Sequence, residues 1–322
     1  VPDLQPPSEL LDALTASLDE PATHLYSPDP GLPELRRAVA DKFSRENAIP
    51  ADWREVHITP GANAAYAALI PAIAEPGEEV ILPSPYYLNH EMAVRLAGCV
   101  PIEVPTSEED DYGLDMQAVR RAVTDKTRAI TLVSPNNPTG AVYSPATLKQ
   151  LAELAAQHDL WLISDEVYEH LTFPGVEHVS IGSFEAARGR TVTIGSFSKS
   201  HALTGWRVGY MHMPRELTSE ILKVHDTFFI CAPTPSQKMA VKALEMGTDF
   251  LLPYREKLVA RKSVLRDLVE QIPHLQWREP QGALFAMLRY SVNADPSDLA
   301  MRILNEVGVA LVPGDAFGKF GS

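Results

Sequence analysis

The stretch Gly195-Ser-Phe-Ser-Lys-Ser-His-Ala-Leu-Thr-Gly-Trp-Arg-Val-Gly-Tyr210 follows a short apolar run at 191–194. Lys199 stands in a Ser-x-Ser-Lys turn at the end of that run, and Arg207 comes eight residues later. A solvated surface lysine needs no such setting. Similar apolar, β-rich runs recur upstream and downstream, at 56–58, 79–82, 100–104, 129–133, 160–163 and 208–212. Stretches with helical spacing separate most of them. Ser144-Pro145, a cap followed by proline in the first turn, starts one over 146–158. Such alternation predicts an α/β fold, a mostly parallel seven-stranded sheet flanked by helices. The runs AITLV and LWLIS are continuously apolar, as strands buried on both faces are.

After about Pro235 the texture changes to a charged helical stretch at 251–271, extended runs at 275–277 and 283–288, a helix near 297–307 and a strand at 309–312. This predicts a smaller α+β domain. The large domain is expected over 24–235. The small one combines 1–23 with 236–322, across a proline-rich turn region at 24–33.

Of 322 residues, 45% are apolar and 22% charged, which suits a packed core rather than disorder. The net charge of −14 disfavours nucleic acid and anionic membranes as partners. No apolar run spans a bilayer. Cys99 and Cys231 lie far apart, outside any CxxC pattern; both are expected to be buried thiols, and a cytoplasmic location follows. The acidic SEEDD at 107–111 reads as a solvated loop. Its consecutive carboxylates lack ligand spacing, and no metal is expected.

Ligands gather at strand ends in an open parallel sheet. Thr59-Pro-Gly-Ala-Asn63 leads into an alanine-rich helix, and a helix N-terminus seats phosphate. Pro83-Ser-Pro-Tyr-Tyr87 offers an aromatic face. Ser134-Pro-Asn-Asn-Pro-Thr-Gly140 is a rigid turn in which Asn137 precedes Pro138, a place for a cis bond. Ser164-Asp-Glu-Val-Tyr168 puts an acid after a buried strand, where it needs a cationic partner. With Ser196, Ser198, Lys199 and Arg207, the set matches what pyridoxal 5′-phosphate asks for: an amine for its aldehyde, an acid for its ring nitrogen, donors for its 3′-oxygen, and a cradle for its phosphate.

The sequence resembles the fold-type I pyridoxal-phosphate enzymes, specifically the class I/II aminotransferases. The resemblance rests on SPNNPTG, SDEVY and SFSKSHALTGWRVGY, in that order. Their spacings fit too: 28 residues from Asn137 to Asp165, 34 to Lys199 and 8 to Arg207. It extends to the opening PDLQPP, to HLYSPDPGLPELR and to VPGDAFG. It implies that Lys199 forms the Schiff base and moves the Cα proton, that Asp165 pairs with the ring nitrogen, and that Asn137 and Tyr168 donate to the 3′-oxygen. Tyr86 is expected to stack on the ring, with Tyr87 as the alternative. Ala62, Asn63, Ser196, Ser198 and Arg207 would hold the phosphate, joined by Tyr26 from the other subunit of a homodimer. The substrates would be an L-amino acid and a 2-oxo acid, exchanged by ping-pong transamination. A lyase or an amino-acid-cyclising synthase would use the same residues, and a noncatalytic effector-sensing domain is the reading from a different class. His201 departs from the aromatic residue that relatives often carry. No residue matches the family's carboxylate-clamping arginine, which is expected beyond Ser322, as the family's leading glycine is expected before Val1.

Overall fold

The computed structural model describes residues 3–321. All seven expected strands form, and a two-residue eighth is added: β1 (Val56–Thr59), β2 (Glu79–Ser84), β3 (Val100–Ser107), β4 (Gly113–Leu114), β5 (Thr127–Val133), β6 (Trp161–Asp165), β7 (Thr191–Ser196) and β8 (Gly209–His212). They make one sheet in the order β1-β8-β7-β6-β5-β2-β3-β4. Strands β3, β2, β5, β6 and β7 pair in parallel, whereas β8 runs antiparallel to both neighbours, as β4 does to β3. The register sets Val133 opposite Asp165, and Asp165 opposite Ile194. The carboxyl ends of the central strands therefore meet at one edge.

The helices over this sheet are α1 (Ser8–Ser17), α2 (Pro33–Glu46), α3 (Ala62–Ile73), α4 (Leu88–Leu96), α5 (Met116–Ala122), α6 (Pro145–His158), α7 (Phe197–Ser200), α8 (Thr218–Phe229) and α9 (Thr234–Met246). Ser144 Oγ accepts from Thr147 N at 3.1 Å and caps α6, as its sequence predicts. Alternate strand residues feed opposite faces. Val80, Leu82 and Ile163 pack with α3, α4 and α8, while Ile81 and Leu162 pack with α5 and α6. Each fully buried side chain of this size contributes about 2 kcal/mol.

The boundary expected between 235 and 236 falls inside α9. This helix shares an apolar cluster with α1, α2 and the β1–β8 end of the sheet through Leu10, Val39, Ile58 and Met239. The chain then continues through α10 (Leu252–Glu270), β9 (Leu275–Trp277), β10 (Leu288–Tyr290) and α11 (Pro296–Val307). Asp3 bonds Lys257 and Arg261 of α10. Residues 4–7 lead from there to α1, which packs in the cluster at the β1–β8 end of the sheet. Val1, Pro2 and Ser322, which the expected domains include, lie outside the described residues.

Two extended runs differ from expectation. Residues 283–288 form a strand only at their end, where Leu288 pairs with Trp277. Ala283 has φ +62° and donates to Leu171 O instead. Residues 309–312 form no strand, and no described strand pairs with them. The acidic loop is also more engaged than expected: Glu108 accepts from Arg289 at 3.3 Å. Both cysteines are free thiols; Cys99 is buried, Cys231 half-buried. No described helix is long and apolar enough to cross a membrane.

Candidate active site

A cavity of about 210 Å³ opens where the carboxyl ends of β1, β5, β6 and β7 converge. Of the residues expected there, Tyr86 and Tyr26 alone are absent from its wall; Tyr87, Val133, Val167 and Thr204 join it.

Lys199 sits in α7, directly after β7. Ser196 Oγ accepts from Ser198 N at 3.1 Å and starts this short turn, while Ser200 Oγ donates to Ser196 O at 2.9 Å. The lysine is half-buried, with Nζ 5.9 Å from the Tyr168 ring centre. Burial, and then the Arg207 charge, lower its pKa, so more of the amine is neutral than in a solvated lysine.

Arg207 and the start of α3 form one end of the cavity. No side chain caps α3, so its first N–H groups are left for a ligand. Gly61 has φ +87°, and a Cβ there would lie 2.4 Å from Arg207 Nη2. At Gly209 a Cβ would lie 2.8 Å from Ala62 N. Glycine at both positions lets the arginine and the helix start come together. Arg207 itself holds a left-handed backbone, φ +51°, and donates to Thr204 O at 2.9 Å. Such conformations are uncommon outside glycine and cluster at functional sites. The result is a cationic corner suited to a dianion.

The opposite end carries Asp165, 5% exposed at the end of β6. Its partner is His90 of α4, with Nε2 3.1 Å from Asp165 Oδ2. His90 stacks on Tyr66 at 4.0 Å and 22°. Tyr168 is buried edge-on against Phe285, 5.6 Å away. Burial, then the Asp165 charge, push its pKa up, so the phenol keeps its proton and can donate. Asn137, on the cavity wall, precedes a cis Asn137-Pro138 bond, as its sequence context suggests.

Of the two tyrosines weighed for the ring face, Tyr87 and not Tyr86 lines the cavity. Tyr86 lies in the core, 7% exposed, with its backbone N donating to Phe317 O at 3.0 Å. Tyr87 faces the cavity, its hydroxyl accepting from Asn89 Nδ2 at 2.8 Å and Asn63 Nδ2 at 3.5 Å. Tyr26 is on the surface, 79% exposed and off the cavity wall. His201 does not reach the cavity mouth. It is buried between Phe197 and Phe250 and bonds Ser200 Oγ at 2.8 Å.

The family model for aminotransferase class I and II matches residues 2–322. The chain belongs to the class I and II aminotransferase family. Aspartate aminotransferase of Pyrococcus abyssi is 37% identical, over 99% of this chain and 83% of that protein. Aspartate/prephenate aminotransferase of Thermus thermophilus is 38% identical with the same coverage. Among solved structures, the aromatic aminotransferase of Pyrococcus horikoshii superposes with a TM-score of 0.95 at 36% identity, covering 99% of this chain and 86% of that one. The Thermus thermophilus aspartate aminotransferase with maleate gives 0.91 at 37% identity, covering 98% and 82%. As a fold-type I aminotransferase the protein depends on pyridoxal 5′-phosphate. The residues fit that group: an isolated amine, a buried acid, a protonated phenol and a cationic corner stand around one cavity.

Proposed function

We propose that the aminotransferase performs its amino-group transfer with Lys199 and Asp165, and that its donor is a dicarboxylic L-amino acid such as aspartate. The supporting observation is the convergence of Asp165 and Tyr168, from the turn after β6, with Lys199 and Arg207, from the segment after β7, on one cavity. Pyridoxal 5′-phosphate, when bound, supplies an aldehyde for amines and a ring that takes up an electron pair. Arg207, Ser196, Ser198 and the N–H groups of Ala62 and Asn63 would hold its phosphate. Asp165, steadied by His90, would keep a proton on the ring nitrogen, and Asn137 and Tyr168 would donate to the 3′-oxygen. Tyr87 and Val167 would cover the ring. Lys199 Nζ, neutral more often than a free lysine, would take the proton from the substrate Cα and return it.

The names of the relatives favour transamination over elimination or cyclisation, and two of them name aspartate. We further propose a homodimer, with Tyr26 of one subunit completing the other's phosphate site. The two free thiols accord with a cytoplasmic setting.

The test has two parts. Borohydride reduction of the holoenzyme should place a phosphopyridoxyl group on Lys199, and Lys199→Ala should lose both the label and at least about 10³-fold in rate. Single amino acids added to the holoenzyme should then convert the cofactor to its pyridoxamine form, aspartate fastest, with reversal by a 2-oxo acid. Release of ammonia and pyruvate would overturn transamination, and a label on another lysine would overturn the site.

A further inference from the structure

Residues 164–170 have two sides. Asp165, Val167 and Tyr168 face the cavity. Ser164, Glu166, Glu169 and His170 face away, into a buried polar cluster shared with α2. At its centre is Lys42, 2% exposed, an unusual place for an ammonium. Its Nζ donates to Asn47 Oδ1 at 2.8 Å and, over a short bond, to Glu169 Oε1. Asn47 Nδ2 donates to Glu169 Oε2 at 2.7 Å and to Glu166 Oε2 at 3.3 Å. Glu166 Oε1 accepts from Ser164 Oγ at 2.8 Å and Ser180 Oγ at 2.7 Å, and His178 Nε2 lies 3.0 Å from Glu166 Oε2.

Burial alone would push the Glu169 carboxyl up, but the Lys42 charge, together with His170, His178 and the Lys42 hydrogen bond, outweighs it and holds the value at about 2. His178 shows the same balance: burial lowers its pKa, and Glu166 with Glu169 more than restores it. Glu166, Glu169 and His178 offer ligand atoms within 4.8 Å of one another, a spacing a metal ion accepts. The two carboxylates are nonetheless satisfied without one. Each of the four carboxylate oxygens already meets a protein donor, and the ammonium supplies positive charge.

We propose that Lys42 is a positioning residue: through Asn47, Glu169 and Glu166 it fixes from behind the turn that presents Asp165 and Tyr168 to the cavity. Removing one partner of a buried ion pair strands the other charge. A stranded Glu169 gains by moving toward water, and Asp165 and Tyr168 share its short turn. The proposal rests on the cavity assignment above. Its first readout therefore uses the apoprotein, so failure of one is distinguishable from failure of the other.

Three variants test it: Lys42→Met, Lys42→Arg and the neutral double variant Lys42→Met/Glu169→Gln. Amide hydrogen exchange of the 164–171 peptides is measured without cofactor, well below each melting temperature. The dissociation constant for pyridoxal 5′-phosphate and the circular dichroism of its bound absorption band follow. In Lys42→Met, exchange at 164–171 should rise at least about tenfold while β2 and β3 change little, with a similar rise in the dissociation constant and a weakened band. Lys42→Arg should return all three toward wild type. If Lys42→Met does not fold, the double variant carries the test. It lacks the stranded charge but also the tether, so its 164–171 exchange should exceed wild type by at least about threefold. Exchange at 164–171 that stays at the wild-type rate, or rises only in step with the whole sheet, overturns the proposal. So does an unchanged cofactor affinity.

Discussion

At the scale of single residues, Asp165 shows what the chain arranges around one charge. Its carboxylate is buried, and His90 meets it at 3.1 Å while stacking on Tyr66. His90→Phe keeps the stacked ring and removes the bond. A hydrogen bond to a charged group contributes about 1.5–3 kcal/mol, so kcat/KM should fall about 10- to 100-fold with little change in melting temperature. Steady-state kinetics with the best amino donor checks this; an unchanged kcat/KM would show that Asp165 needs no such partner. The acid was legible in sequence, because a carboxylate after an apolar strand demands a partner. Its partner was not, because His90 arrives from another helix and no local pattern marks it. Which of Tyr86 and Tyr87 lines the cavity was not legible, for a related reason. The motif fixes the turn after β2, whereas which ring faces the cavity depends on packing against residues such as Phe317, far along the chain.

At the scale of elements, strand ends were readable because buried parallel strands are continuously apolar and polar residues begin where burial stops. Runs 309–312 and 283–288 show the limit of that signal. β-rich composition makes a strand only where a neighbouring strand takes its backbone bonds. The β1–α3 turn yields a prediction. In Gly61→Ala the new Cβ meets the flexible end of Arg207, not backbone, so the fold should survive a backbone strain of about 1–3 kcal/mol. The arginine must move aside, and the affinity for pyridoxal 5′-phosphate should drop at least about tenfold. Titration of the apoprotein with cofactor measures this; equal affinity would remove Arg207 from the phosphate site. The C-terminal cap of α7 yields another. Burial, then the His170 charge, lower the His201 pKa from 6.5 to about 4. The unfolded chain therefore binds more protons than the folded one between those values, and stability is lost as pH falls from 6.5 toward 4. His201→Phe, which suits the pocket between Phe197 and Phe250, should flatten that acid limb by about one proton. Melting temperatures of both proteins from pH 7 to 4 decide it, and parallel curves would show that His201 does not titrate there.

At the scale of the whole molecule, the surface segment bearing Tyr26 is held firmly yet points outward. Gln237, fully buried in α9, donates to Ser27 Oγ and accepts from Leu32 N, both at 2.8 Å, and Thr234 Oγ1 donates to Leu25 O at 2.8 Å. On this fixed loop Leu25 is 67% exposed and Tyr26 79% exposed. Loops carrying exposed aromatic and aliphatic side chains on a rigid base are suited to docking against another protein surface. If that surface is a second copy related by a twofold axis, each cavity draws Lys199 from one subunit and Tyr26 from the other. Two impaired variants then complement each other. Lys199→Ala lacks the amine and Tyr26→Phe lacks the hydroxyl. A hybrid dimer holds one site with both defects and one with neither. Random reassortment of equal amounts makes half the dimers hybrid, each with one intact site of two, so activity should recover to about one quarter of wild type. The mixture is unfolded and refolded together, and its rate is compared with the sum of the two variants refolded apart. Recovery near one quarter requires Tyr26 to act across the interface. A rate no higher than the sum places each cavity within one chain, and Tyr26 then serves the surface alone.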